Sequence, residues 1–208
     1  MSLIRRAQPR TNLLSVAALT LLCICATVNA GGQSAPALSD DESAVYTALF
    51  KDVYQAAPSV PIILSDQTAL GVPPGMLAKV PTEGLQTRAF LDKVSLDTKA
   101  DYSQKEHVSI KLPSPCRLAP DCIAKNAGDI AVQVKNDKAW AKFYKRYPNS
   151  PGVVVVSRIG FNVEHTQALV YTGCACGTLC GQGEYARLAK RDGAWTVEDT
   201  TVVWISQK

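Results

Sequence analysis

Cys174, Cys176 and Cys180 fall within seven residues of the stretch "TGCACGTLCGQGEY", the densest concentration of reactive side chains in the 208-residue chain. Three thiolates at that spacing suit a tetrahedral metal, which needs a fourth ligand. His165 sits in the turn before an expected strand over 167–173, and Cys174 sits at that strand's far end. Nine residues at about 3.3 Å each separate them by roughly 30 Å, so only Cys116 or Cys122 is available as the fourth ligand. The same separation works against a Cys–His nucleophile, which requires contact at about 3 Å. Glu184 is close in sequence, but a carboxylate beside a thiol raises the thiol pKa and quiets it. A dithiol redox centre favours C-x-x-C at a helix start, whereas this segment is C-x3-C in a glycine-rich turn. No metal or other cofactor is expected.

A disulfide staple meets fewer obstacles. Gly177, Gly181 and Gly183 permit the positive φ values of a tight loop. A Cys176–Cys180 bridge would pin a hairpin joining strands 167–173 and 184–190, and Cys116–Cys122 would pin "CRLAPDC". Cys174 is then the unpaired thiol. Connectivity is not fixed by sequence, and a bridge from Cys174 to Cys116 or Cys122 is the alternative. Outside the cysteines, Arg158 interrupts an apolar strand. It faces solvent on a half-exposed sheet, or it holds an anion in a concave face with Ser157, Tyr171, Glu184 or Tyr185.

These residues need elements to hold them. Ser39 followed by Glu42 is a capping box, and Val45, Tyr46, Leu49, Phe50 and Val53 follow on one stripe, which predicts a helix over about 40–56. A strand is expected at 61–65, a loop over 71–84, and modest helices over 85–94 and through "LDTKADYSQKEH". "HVSIKL" alternates as a strand does. Asn136 or Asp137 caps a helix to about Arg146, with Trp140, Phe143, Tyr144 and Tyr147 as its core face. From Gly152 the chain turns to β: "GVVVVSRIGF", "QALVYT", "EYARLAK" and "AWTVEDTTVVWIS", with Asp192-Gly193 as a hairpin turn. The expected fold is α+β, with helices over one face of a curved antiparallel sheet and a C-terminal four-strand meander. That topology gathers 147–152, 174–183 and 202–206, including Trp204, at one end as a loop edge suited to binding.

Residues 1–30 read as a secretory signal peptide: Arg5, Arg6 and Arg10, then the apolar run Leu13–Val28, then Val28-Asn29-Ala30 before a cleavage point. Residues 31–38 are a flexible lead-in and 39–208 a single domain. The chain has 22 basic and 18 acidic residues, and without the three leader arginines the balance is 19 to 18. A near-neutral domain with no evident Lys/Arg cluster argues against nucleic acid and against a stable membrane anchor after cleavage. The destination is the periplasm or the cell exterior, where thiols pair.

The segments "KFYKRYPNSPG", "SRIGFN", "QALVY", "CGTLCGQGEY", "GAW" and "WIS" resemble a family of secreted bacterial proteins of unknown function, firmly over 138–206. The resemblance implies export and an α+β fold and brings no catalytic residue. Cys176-Gly177 and Cys180-Gly181-x-Gly183 match its pattern, and Cys174 is an addition. With no nucleophile elbow and no phosphate loop, the expected function is a non-enzymatic module binding a protein, peptide or glycan at the loop edge. The alternative is a small secreted hydrolase or thiol-dependent enzyme centred on Cys174 or on Arg158 with Glu184.

Overall fold

Ser39 opens the first helix through a reciprocal cap. Its hydroxyl accepts from the Glu42 N–H at 3.1 Å, and the Glu42 carboxylate accepts from the Ser39 N–H at 2.9 Å. The computed structural model describes residues 38–70 and 83–206; the leader, most of the lead-in and most of the 71–84 loop lie outside the described residues. The helices are α1 (Asp40–Val53), α2 (Glu83–Asp92), α3 (Leu96–Lys105), α4 (Ala127–Gln133) and α5 (Asp137–Arg146). The strands are β1 (Ile62–Ser65), β2 (Cys122–Lys125), β3 (Val153–Val156), β4 (Gly160–Phe161), β5 (Gln167–Gly177), β6 (Cys180–Arg191) and β7 (Ala194–Ser206). They form one seven-stranded sheet in the order β2-β1-β3-β5-β6-β7, with β4 also paired to β5. The protein is therefore α+β.

The sheet is mixed, which corrects the expectation of an all-antiparallel one. β1 runs parallel to both β2 and β3, with Ile62 opposite Cys122 and Ile63 opposite Val153. The helices explain this: α2 and α3 carry the chain back between β1 and β2, and α4 and α5 do so between β2 and β3, so each strand re-enters from the same end. β3, β5, β6 and β7 do form the antiparallel meander.

Helices cover both faces, not one. On one side α1 packs Tyr46, Leu49 and Phe50 against Ile62, Leu64, Val154, Val170 and Leu188. On the other, α2, α3 and the turn between them bring Phe90, Tyr102 and Val94 to Leu169, Tyr171 and Val203, and α5 brings Trp140 and Phe143 to Ile63 and Val153. The uninterrupted runs "IIL" and "VVVV" follow from this, because a strand buried on both faces has no polar side. Each large side chain fully removed from water contributes about 1.5–3 kcal/mol.

Three local expectations also change. "HVSIKL" forms only an isolated bridge, Lys111 to Gln67, while Cys122–Lys125 supplies the paired strand instead. "GVVVVSRIGF" breaks at Ser157, whose hydroxyl accepts the Tyr171 N–H at 2.9 Å and donates to the Arg158 carbonyl at 2.7 Å. Beyond the break α3 crosses so closely that a Cβ on Gly160 would collide with the Tyr102 backbone. The third change is at the hairpin, where β5 and β6 extend through the cysteines.

Asp41, in the first turn of α1, ties that helix to the far end of the meander. Its carboxylate accepts from Lys190 Nζ at 2.7 Å and Trp195 Nε1 at 3.1 Å, and lies 3.0 Å from His165 Nδ1. The Lys190 and Trp195 hydrogen bonds, opposed by partial burial and helped by His165, hold its pKa down to about 2. A depressed carboxylate stabilises the fold above its unfolded pKa near 3.8 and loses that contribution as pH falls through about 2. Asp41→Asn should therefore cost about 1 kcal/mol at pH 7, discounted for solvent screening. In urea melts the gap to wild type should shrink between pH 4 and 2; a gap constant across that range would refute the charged role.

Candidate functional site

The β5–β6 hairpin ends tightly. β5 reaches Gly177 and β6 starts at Cys180, leaving Thr178 and Leu179 as the connection. Cys176 and Cys180 are bridged with Cα atoms 5.0 Å apart, and Cys116 and Cys122 with Cα atoms 5.4 Å apart. The loop is narrower than the sequence suggested, because Cys174 and Cys176 lie inside a strand; a bulge between Ala175 and Gly177 brings Cys176 round to its partner.

Two tethers join this tip to α5. The Tyr144 hydroxyl donates to the Cys176 carbonyl at 3.0 Å, and the Thr178 hydroxyl donates to the Asp137 carboxylate. The chain leaving α5 then runs in beside β5 at Gly152, whose φ of +124° and contact with the Ala175 carbonyl exclude any side chain. At the other side of the edge, Ile205 pairs with Gln182, and the Trp204 indole packs over Gly181 and Gly183. The segments 147–152, 174–183 and 202–206 therefore do meet at one end. Leu179 and Ile205 stand out from it, 53% and 49% exposed.

The polar candidates do not share one pocket. Tyr171 and Tyr185 are opposite each other in the ladder with ring centroids 5.7 Å apart, and the Trp204 indole donates to the Tyr171 hydroxyl at 2.8 Å. Tyr102 closes the group edge-on, 5.8 Å from Tyr185. Glu184 belongs to the opposite face, because neighbouring residues on a strand point in opposite directions. It is opposite Thr172, with Cys174 two residues further on the same face. Arg158 is elsewhere again, at the break after β3. Its charge reaches Tyr46, and among the described residues no ion pair joins it to Glu184. An anion pocket of Arg158, Glu184 and Tyr185 is thus not formed, since strand alternation separates two of its members.

Burial dominates the chemistry around Cys174. The thiol is buried and donates to the Pro151 carbonyl at 3.1 Å. Loss of solvent, and secondarily the Glu184 charge, push its pKa to about 12. At neutral pH only about one thiol in 10⁵ is then ionised, so Cys174 is a poor nucleophile and a poor metal ligand. Glu184 is raised by burial, and burial likewise raises Tyr54, whose hydroxyl is 2.7 Å from that of Thr172. Among the described residues, no three His, Cys, Asp or Glu side chains converge as a metal site.

Sequence reasoning missed a second feature. Lys135, Lys138, Lys142 and Arg146 line a groove along α5. The signal was present as i, i+4, i+8 spacing within "KNDKAWAKFYKR", hidden by the near-zero balance of the chain as a whole.

Replacing Cys176 and Cys180 together with serine should lower stability by about 2 kcal/mol in the chain-entropy model, read as a reduced urea midpoint. An unchanged midpoint would mean that the bridge closes nothing the fold does not already close. Glu184→Gln tests the buried acid. A carboxyl raised in the folded state favours folding below its unfolded pKa near 4.5 and loses that as pH rises through the folded value. The variant should therefore match wild type at pH 4 and melt higher at pH 8; equal Tm at both pH values would count against it.

A scan of family models, a search of curated proteins and a search of solved structures each found no match to the chain. What the protein does has to be read from its own residues.

Proposed function

We propose that the chain is an exported, non-enzymatic binding module that takes a protein, peptide or glycan along the edge formed by 147–152, 174–183 and 202–206. The observation that carries this is the stapled tip: Cys176–Cys180 and the two α5 tethers hold exposed Leu179 and Ile205 on a rigid sheet. Apolar residues fixed in the open on a rigid scaffold favour recognition, because little freedom is lost on binding. The aromatic group of Tyr171, Tyr185 and Trp204 lies behind the edge and stiffens it. Export is favoured by the leader pattern and by two disulfides, which persist in oxidising compartments. No helix among the described residues is long and apolar enough to cross a membrane. The resemblance to a secreted bacterial family points the same way.

The enzymatic alternative is weaker on physical grounds. Cys174 is buried and protonated, and Arg158 and Glu184 are not assembled. A thiol reagent at pH 8 should label no cysteine of the native oxidised chain downstream of the leader and one after denaturation. Rapid labelling of the native protein at Cys174 would instead support thiol chemistry. A peptide and glycan array probed with that chain should give discrete hits that Leu179→Asp abolishes; hits unaffected by Leu179→Asp would move the site off this edge.

A further inference from the structure

We infer that the groove along α5 is a second binding surface, one that takes an extended acidic peptide carrying Asp or Glu at alternate positions. It goes beyond the loop edge, with which it shares no residue. The groove holds about 500 Å³, the range of a ligand cleft, and is lined by Gln133, Lys135, Lys138, Lys142, Phe143 and Arg146 among others.

The charges are not explained by the helix that bears them. Lys138–Lys142 and Lys142–Arg146 are i, i+4 pairs of like sign, which repel along a helix face. Arg146 suits the last turn, where the helix dipole favours cations, but Lys138 sits in the first turn, where it opposes the dipole. Among the described residues none of Lys135, Lys138, Lys142 and Arg146 forms an ion pair. Four unneutralised cations around one concavity attract an anion.

Spacing and surroundings select the anion. Residues four apart on a helix rise about 6 Å, so the three cations of α5 form an evenly stepped row. Alternate residues of an extended peptide are about 6.6 Å apart, close to the same step. Successive carboxylates can therefore meet Lys138, Lys142 and Arg146 in turn. Single-stranded nucleic acid fits less well, because it uses aromatic stacking platforms, and Trp140, Phe143 and Tyr147 are all buried. A membrane surface fits less well too. The site is concave, and Val132, 66% exposed, is the one strongly exposed apolar residue on its rim.

The test uses a fluorescein-labelled peptide of alternating glutamate and serine, and a second of the same composition with its glutamates in one block. Fluorescence anisotropy with the chain downstream of the leader should show saturable binding of the alternating peptide that weakens as salt is raised. Lys138→Glu combined with Lys142→Glu, checked for unchanged circular dichroism and Tm, should lose more than tenfold in affinity. Leu179→Asp should bind the peptide as wild type does, which separates this groove from the loop edge. The inference is overturned by equal affinity in the double variant, by no saturable binding, or by preference for the blocked peptide. Tighter binding of a single-stranded oligonucleotide or of phosphatidylglycerol vesicles would overturn it as well.

Discussion

The register of β5 is the constraint on which the other packing depends. Ala168, Val170, Thr172 and Cys174 face α1, while Leu169, Tyr171 and Ala175 face the helices on the other side. A slip by one residue would exchange these two sets across the sheet and bury each against the wrong partners. Several contacts fix the register locally. Ser157 clasps the backbone of Tyr171, the Gly152 backbone abuts Ala175, and the bulge at Ala175–Gly177 ends the ladder beside a disulfide. The strand is thereby held at its middle and at its end.

The same two-sidedness decides which side chains can act together. Tyr185 and Glu184 are neighbours in sequence yet serve different cores, one lined with aromatic rings and the other with a hydroxyl pair, a thiol and a carboxyl. Among the described residues no ion pair reaches Glu184, and burial raises the pKa of both that carboxyl and the Cys174 thiol, which keeps the thiol protonated. The outward-facing chemistry lies at the periphery, where the hairpin tip presents apolar residues and α5 presents cations.

Sequence patterns that act over a few residues were legible. The Ser39–Glu42 cap, the inward stripe of α5 and the Asp192-Gly193 turn each depend only on neighbours. Strand direction was not, because parallel pairing of β1 with β2 and β3 arises from helices that return the chain, and a four-residue apolar run reads alike in either direction. β2 was missed because "CIAK" is short and only half-buried, and its strand character comes from pairing with β1. The Asp41 cluster was invisible for another reason: its partner Lys190 lies 149 residues away, and nothing near either residue announces the other. At the site, the meeting of the three edge segments followed from strand order, whereas the grouping of Arg158 with Glu184 and Tyr185 ignored the alternation that separates them.

The two bridges span only six and four residues of sequence. The five cysteines from Cys116 to Cys180 allow about fifteen ways to make two bonds and leave one thiol over. Partners this close in sequence meet at high effective concentration even in an unfolded chain, since closing a short loop costs the least entropy. Oxidation can therefore close both short loops before the sheet exists, and burial of Cys174 in β5 leaves Cys176 as the partner of Cys180. The leftover sulfur is then sealed by the sheet itself, on a strand that α1 covers. A chain built this way can correct itself: every mispaired form leaves one thiol able to attack its bonds, and the native form buries the thiol that remains.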